Sequence, residues 1–322
     1  MIPSRCAAVL MLLAACSRPP RSDSGSAPAP PLRPAPTPAP AAVAQPSPAP
    51  APSPAPAPAG GDAMTLAVPP FDTATTAHVR ALYGAAARAG NHLDVFAKIG
   101  DSITESGSFG HDIGHGWTEL GAYTRLESTI RHFSRRAFSS NAEDNSFSRA
   151  SAAATAGWTT EDLLQGGDSC PAERELRALR PAFAVVMIGT NDVERVSPED
   201  YERNLREILR RVEARNAVPV LSTIPDHRGS AEFTARSRAF NGIIRRVAGA
   251  LHLPLLDYHA ALASLPNAGL SDDNIHPSAY VENGDTRAGV FTPAGLRNGY
   301  NVRNLTLLLM LERLIETVGA RS

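Results

Sequence analysis

The stretch LDVFAKIGDS, residues 93–102, decides the fold. Its mostly apolar part ends at a glycine, which is typical of a strand that is buried on both faces and then turns sharply. Three further apolar runs have the same character, at residues 183–188, 218–224 and 253–257. Strands of parallel sheets have this composition because helices cover both of their faces.

Segments with helical periodicity separate these strands. They span residues 73–89, 117–133, 198–215, 233–251 and 303–318. The alternation predicts an α/β fold, a three-layer sandwich with a central parallel sheet and helices on both faces. Ligands bind such sheets at the carboxyl ends of the strands, so the residues around Gly100, Gly189, Pro225 and Asp257 are the first candidates for a functional site.

The first residues predict export. Arg5 precedes an apolar run from Ala7 to Ala15, which fits a secretory signal and is shorter than the ~20 apolar residues that span a bilayer. The motif LAAC, residues 13–16, resembles the lipobox of bacterial lipoproteins. That resemblance implies lipidation of Cys16 and attachment to a membrane. The same resemblance implies from Ser17 an attachment to the outer membrane, facing the periplasm or the cell surface. An ordinary signal peptide is the alternative.

The segment that follows predicts a spacer. From Ala27 to Ala59 proline alternates with alanine and serine. Proline fixes φ and removes an amide donor, so the stretch is expected to be extended polyproline II rather than a folded core. The predicted organisation is a signal peptide at 1–16, a disordered Pro/Ala-rich linker at 17–62 and one folded α/β domain at 63–322. A ligand for a proline-binding module is disfavoured, because the run lacks a basic PxxP register.

Charge and cysteine content narrow the functional classes. The formal net charge is −1 at pH 7, so no basic field exists to attract nucleic acid. If Cys6 is removed with the signal and Cys16 is lipidated, Cys170 is the one thiol left, and no intrachain disulfide is expected. Cys170 is expected to be a packing thiol. The sequence does not indicate an oligomeric state.

Short polar motifs stand at two predicted strand ends and near the C-terminus. They are GDSIT at 100–104, GTND at 189–192 and DDNIHP at 272–277, with AGWTT at 156–160 between the first two. Each motif alone is an ordinary turn or helix cap. Together, and in this order, they resemble the SGNH or GDSL-like serine hydrolases, a family with a flavodoxin-like parallel sheet.

The resemblance implies a catalytic triad of Ser102, His276 and Asp273. It also implies an oxyanion hole formed by the Ser102 amide, the Gly157 amide and the Asn191 side chain. The chemistry suits these residue types, because a serine hydroxyl needs a base within hydrogen-bond reach and an imidazole accepts a proton near neutral pH. A nearby carboxylate holds the imidazole in one tautomer. Glycine at position 157 lets the backbone approach a ligand closely.

The identity of the acid is open between neighbouring residues. The family spacing favours Asp273, while Asp272 is adjacent and Asp257 stands at a predicted strand end. Asp101 and Asp192 are expected to bond to local backbone amides and to shape their loops.

Two further features need interpretation. His111 and His115 are four residues apart, as helical metal ligands are, but the glycines among them disfavour a regular helix, and no glutamate stands between them. A polar loop without metal is therefore expected. Trp117 and Trp158 flank the site in sequence. Either could stack on a sugar, although buried packing is the more usual role of tryptophan.

The sequence predicts a serine esterase that uses no cofactor and cleaves acyl esters, in particular O-acetyl esters of carbohydrate. The expected partners are a small ester or an acetylated polysaccharide, and the membrane through the lipid anchor alone, without nucleic acid. The alternatives are a lipase or thioesterase of the same family and a catalytically silent carbohydrate-binding module. A carboxylate-pair glycosidase and a phosphatase are disfavoured, because neither paired carboxylates at strand ends nor a Gly-rich phosphate loop is present.

Overall fold

A sheet of four parallel strands, β1 to β4, forms the centre of the computed structural model, which describes residues 66, 68–141 and 143–320. The strands span His92–Gly100, Pro181–Met187, Val218–Ser222 and Leu255–Leu256 and lie in the order β1-β2-β3-β4. A parallel bridge joins Gly100 to Ala154 at the free edge of β1. When this bridge is included as the second element along the chain, the order becomes the flavodoxin-like 2-1-3-4-5. The predicted α/β fold is confirmed.

Helices cover both faces of the sheet. In chain order, α1 to α11 span Thr73–Ala89, Ser102–Glu105, His111–Gly114, Glu127–Ser134, Thr160–Leu164, Pro171–Leu179, Asp192–Arg195, Pro198–Ala214, Ala231–Ala250, Tyr258–Leu262 and Gly299–Val318. Short 3-10 turns lie at Gly121–Leu126, Gly167–Ser169, Pro266–Gly269 and Gly295–Arg297, and Val281–Glu282 (β5) pairs with Asp285–Thr286 (β6). Helices α1 and α4 pack with α11, whereas α6, α8 and α9 form a second group, and both groups contact the sheet.

The predicted helix at 117–133 starts later than expected. Residues 117–120 are not helical, and the segment turns through a 3-10 helix before α4 begins at Glu127. Gly116 and Gly121 have φ angles of 74° and 53°, which interrupt a helix. Between them, the Glu119 amide donates to the Gly289 carbonyl at 3.0 Å, a pairing with a distant loop that local periodicity does not reveal.

Helix α11 begins four residues before the predicted 303–318 and is buried on nearly all sides along Gly299–Leu311. Its buried polar residues hold loops at the carboxyl edge of the sheet. Asn301 donates to the Arg287 carbonyl at 2.8 Å, and Asn304 accepts from the Gly110 amide at 3.0 Å. Because buried polar groups are costly without partners, these bonds fix the loops to the core.

The N-terminal predictions fall largely outside the described residues. The signal peptide at 1–16, the linker at 17–62 and the lipidation site Cys16 all lie there. Within the described part of the chain, no helix has the length and apolar composition to span a membrane. Cys170 is a buried free thiol at the start of α6.

Candidate active site

Ser102 occupies the first position of α2, directly after β1 ends at Gly100. A Cβ at Gly100 would lie 2.3 Å from the Met187 carbonyl oxygen, so the close approach of β1 and β2 requires glycine here. Asp101 caps α2, because its carboxylate accepts from the Ile103 amide at 3.1 Å. The resulting sharp turn leaves Ser102 partly exposed at the carboxyl edge of the sheet.

His276 reaches Ser102 from a loop that follows β4. Its Nε2 lies 2.9 Å from Ser102 Oγ, and its Nδ1 lies 2.6 Å from Asp273 Oδ2. An ionised carboxylate can only accept hydrogen bonds, so Nδ1 carries the proton and Nε2 can accept from the serine hydroxyl. The structure thus brings together the three side chains that the resemblance implied as a triad.

The loop around Asp273 holds its carboxylate in place. Oδ1 accepts from the amides of Ile275 and His276 and from the Ser271 hydroxyl, each at 2.9 Å. Partial burial opposes ionisation of Asp273. The hydrogen bonds from Ile275, His276 and Ser271 nevertheless hold its pKa well below the usual range. Asp273 therefore carries a negative charge beside the imidazole at neutral pH.

The other two aspartates considered as the acid have different partners. The Asp272 carbonyl accepts from Asn274 Nδ2 at 3.3 Å. The Asp257 carboxylate accepts from Arg245 at 2.7 Å and from the Ala260 amide at the start of α10. Of the three, Asp273 is the one that contacts His276.

Gly157 and Asn191 lie on two loops that touch each other. Gly157 has a φ of 81°, which residues with a side chain rarely adopt. Asn191 immediately precedes α7 and donates from Nδ2 to the Trp158 carbonyl at 2.9 Å. Because a side-chain amide nitrogen carries two hydrogens, Asn191 keeps a second donor for a ligand.

Asp192 links the Asn191 loop to the segment that follows Gly157. Its side chain is buried and accepts from the Thr160 amide at 2.9 Å, across 32 residues of sequence, and from the Thr160 hydroxyl. Burial raises the pKa of Asp192 to about 6, against the lowering effect of Thr160. Burial also raises the pKa of Asp101. Asp101 bonds within its own turn as expected, whereas Asp192 connects two separate loops.

Two charged side chains that sequence reasoning missed hold the Gly157 loop. Glu105, in α2, accepts from the Ala156 amide at 2.6 Å. Arg195, in α7, donates to the Gly157 carbonyl at 3.1 Å. The loop is therefore tied both to the helix that carries Ser102 and to the helix that follows Asn191. In the sequence, Glu105 is notable only for standing three residues after Ser102. That position does not reveal a partner 51 residues away.

Arg303, in α11, contacts α2, the helix that carries Ser102. The sequence did not reveal this contact either. Arg303 is 5 % exposed, donates to the Ile103 carbonyl and, at 2.8 Å, to the Thr104 hydroxyl, and stacks on the Phe109 ring. Burial lowers the pKa of Arg303 to about 10, so it remains charged at neutral pH. A cation at the carboxyl end of a helix satisfies the free carbonyls there. Arg303 thus anchors the turn that presents Ser102.

Outside these contacts, two expectations were wrong. His111–Gly114 forms one helical turn, because Gly110 and Gly116, with φ angles of 82° and 74°, stand on either side of the turn rather than within it. Trp117 is 56 % exposed rather than buried, whereas Trp158 packs against the core. Among the described residues, no group of three or more His, Cys, Asp or Glu side chains could hold a metal ion.

Comparisons with known proteins agree with the sequence motifs. A sequence model of the GDSL-like Lipase/Acylhydrolase family matches residues 99–280. The chain is 34% identical over 105 residues to "Thioesterase 1/protease 1/lysophospholipase L1" of Escherichia coli strain K12, a match that covers 32% of this chain and 49% of that protein. The chain therefore spans about half the length of the curated relatives it matches.

Solved structures to which the chain is similar include an acetylxylan esterase and a GDSL-like lipase. A catalytic mutant of an acetylxylan esterase from Geobacillus stearothermophilus is 18% identical with a TM-score of 0.44, covering 67% of this chain and 93% of that one. A GDSL-like lipase from Bacteroides thetaiotaomicron is 15% identical with a TM-score of 0.42, covering 74% of this chain and 98% of that one.

Proposed function

Because the chain belongs to the GDSL-like lipase/acylhydrolase family and is a hydrolase of ester bonds, we propose that it is a serine esterase that removes O-acetyl groups from carbohydrate. The observation that carries the mechanism is the continuous contact from Ser102 Oγ through the His276 ring to the Asp273 carboxylate. It supplies a nucleophile, a base and a group that orients the base.

The reaction proceeds through an acyl-enzyme. Ser102 Oγ attacks the acyl carbon while its proton moves to Nε2 of His276, and negative charge develops on the carbonyl oxygen. The Ser102 amide, the Gly157 amide and the Asn191 side chain donate to that oxygen. His276 then gives its proton to the departing alcohol oxygen as the ester bond breaks. A water molecule, deprotonated by His276, attacks the acyl-enzyme, and the proton returns to Ser102 as the carboxylic acid leaves.

The polarity around the Gly157 loop supports a small acyl group. Glu105 and Arg195 both contact this loop and carry opposite charges. A long acyl chain would need continuous apolar surface at this position, since its binding depends on the area removed from water. An acetyl group needs little such surface. Hydrolysis of longer acyl esters or thioesters is the second candidate, supported by the name of the Escherichia coli relative.

The setting at the cell envelope is a further part of the proposal. The LAAC motif at residues 13–16 supports lipidation of Cys16, and the Pro/Ala-rich segment supports a spacer between the membrane and the enzyme domain. An esterase held in this way lies next to envelope glycans or external polysaccharide. This proximity supports a carbohydrate ester over a soluble lipid as the substrate.

The test combines active-site labelling with a substrate panel. A fluorophosphonate is expected to label Ser102, as mapped by mass spectrometry of the tryptic peptide. The unlabelled enzyme is expected to release acetate from acetylated xylan and aryl acetate faster than it cleaves palmitoyl esters or acyl thioesters. Preference for long acyl chains would transfer the assignment to the second candidate. Absence of both labelling and hydrolysis would overturn the proposal.

Loss of the Glu105 contact is expected to slow the reaction without weakening binding. Glu105→Ala should lower kcat for aryl acetate about tenfold and change KM less than about twofold, because an oxyanion donor loses an anchor. Glu105→Gln should keep most of the activity, since its carbonyl can still accept from the Ala156 amide. Glu161→Ala, at an exposed glutamate of α5, is the matched control. The positioning role is wrong if the alanine variant has an unchanged kcat in steady-state assays.

A further inference from the structure

Three aromatic rings form a stack at the surface of α3 and the turn that follows it. The His111 and His115 ring centroids are 4.3 Å apart with an interplanar angle of 27°, and those of His115 and Trp117 are 4.7 Å apart at 34°. Trp117 is 56 % exposed and, with Val281, is one of the two exposed large hydrophobic residues of the described part of the chain. The stack therefore offers an aromatic face to solvent.

Backbone and side-chain contacts hold this stack. His115 Nδ1 lies 2.9 Å from the His111 carbonyl, and the Trp117 amide donates to the Asp112 carbonyl at 2.8 Å. The buried Asp112 carboxylate in turn accepts from the Gly289 amide at 2.9 Å. Burial lowers the pKa of His111, with additional lowering by the neighbouring His115 and Lys98, so the His111 ring is neutral at neutral pH. The aromatic face is thus built before any ligand arrives.

An open cleft of about 270 Å³ lies against the two histidines. Ser139, Asn141, Glu143 and Asp144 are among the residues that line it together with His111 and His115. The volume is just below the ~300–1,000 Å³ that small-ligand pockets span. Asn145 Nδ2 donates to the Gly114 carbonyl at 2.9 Å and so joins the loop that carries the polar residues to α3.

The residues that line the cleft determine which class of ligand it can bind. Hydroxyl, amide and carboxylate groups on one side can bind the hydroxyl groups of a sugar, while aromatic faces pack against its C–H surface. Arg149 also lines the cleft, but its charge is matched by the buried Glu175. The Glu143 carboxylate lies 3.5 Å from His115 Nε2, and Asp144 adds a second carboxylate, so both carboxylates repel anionic sugars and phosphate groups. The cleft therefore fits an uncharged, polyhydroxylated ring.

We propose that the His111–His115–Trp117 stack and the adjoining cleft bind a neutral pyranose unit of a glycan chain, as a subsite apart from the reacting ester. The proposal rests on the proposed function for the identity of the glycan as the acetylated substrate. Ser102 begins α2 and His111 begins α3, and between the two helices lies a turn in which the Phe109 amide donates to the Ser106 carbonyl at 2.9 Å. An extended chain of this length would place them at most about 30 Å apart, and these turns shorten the distance. A chain of several sugars is long enough to contact both places.

The test separates polymer binding from chemistry. Trp117→Ala is expected to raise KM for acetylated xylan about tenfold through loss of the aromatic contact, and to leave kcat/KM for aryl acetate within about twofold. His115→Ala should also raise KM for acetylated xylan. Val281→Ala removes a side chain of nearly equal exposure, 57 %, that does not belong to the stack, and is the matched control. Equal KM values for acetylated xylan in wild type and the Trp117 variant would overturn the subsite.

Direct binding tests the subsite independently of the reaction. Calorimetric titration of the Ser102→Ala protein with xylohexaose should give measurable binding that Trp117→Ala weakens about tenfold and Val281→Ala does not change. Polygalacturonate should bind more weakly than xylohexaose because of Glu143 and Asp144. Equal or tighter binding of polygalacturonate would overturn the predicted charge selectivity. If the wild-type enzyme hydrolyses no ester yet binds xylohexaose through Trp117, the proposed function fails and the subsite stands.

Discussion

Ser102→Ala is expected to lower kcat/KM for aryl acetate at least about 10⁴-fold, because no other described contact supplies a hydroxyl to the His276 ring. His276→Ala should cause a loss of similar size, since the serine hydroxyl is then without its base. The double variant should lose little more than either single variant, because the two residues act as one unit. The measurement is steady-state hydrolysis, with thermal unfolding to show that each variant is folded.

Ser108→Ala is the matched control for this pair. Ser108 lies six residues further along the chain, and its carbonyl accepts from Asn304 Nδ2 at 2.8 Å, so the contact survives loss of the hydroxyl. It should keep wild-type activity and fluorophosphonate labelling. Independent, additive losses in the Ser102 and His276 variants would contradict the proposed mechanism, as would labelling of Ser102→Ala at another serine.

Asp273→Asn is expected to lower kcat for the same ester about 10⁴-fold, because the amide cannot hold the Nδ1–H tautomer of His276 as a carboxylate does. KM should change far less than kcat, since Asp273 contacts His276 and not the substrate. Asp272→Asn changes the adjacent carboxylate and should keep near-normal activity. The two substitutions remove the same charge from neighbouring positions, so their difference measures contact with His276. Similar losses in both variants would show that Asp273 acts through charge alone.

The depressed pKa of Asp273 fixes the sign of its pH effect. Its hydrogen bonds with Ile275, His276 and Ser271 favour the ionised carboxylate despite partial burial. The stabilising contribution of this ion is present above the ordinary aspartate pKa of about 3.9 and is lost as the pH falls through the lower pKa of the folded state. Asp273 is therefore expected to stay ionised at mildly acidic pH, so a loss of wild-type activity there would have another cause.

Local sequence patterns were sufficient to predict the positions of the strands and of most long helices. Helix α1 spans Thr73–Ala89 as predicted, and β1, His92–Gly100, begins one residue before the apolar stretch and ends at its closing glycine. These elements depend on the composition and periodicity of neighbouring residues, and both are visible along the chain. The helix predicted at 117–133 begins too early for the opposite reason. The backbone of Glu119 pairs with Gly289 in a distant loop, and local periodicity does not show such a pairing.

By itself, the sequence determined the parallel α/β fold and the placement of Ser102 and Asn191 after strand ends. The tertiary structure decided which aspartate contacts His276, since Asp272 and Asp273 differ in loop geometry rather than in composition. It also decided the contacts of Glu105 with the Ala156 amide and of Arg303 with α2. The physical reason is the range of the interactions. Periodicity and turn preference act over a few residues, whereas these hydrogen bonds join segments that meet only after the sheet and α11 have assembled.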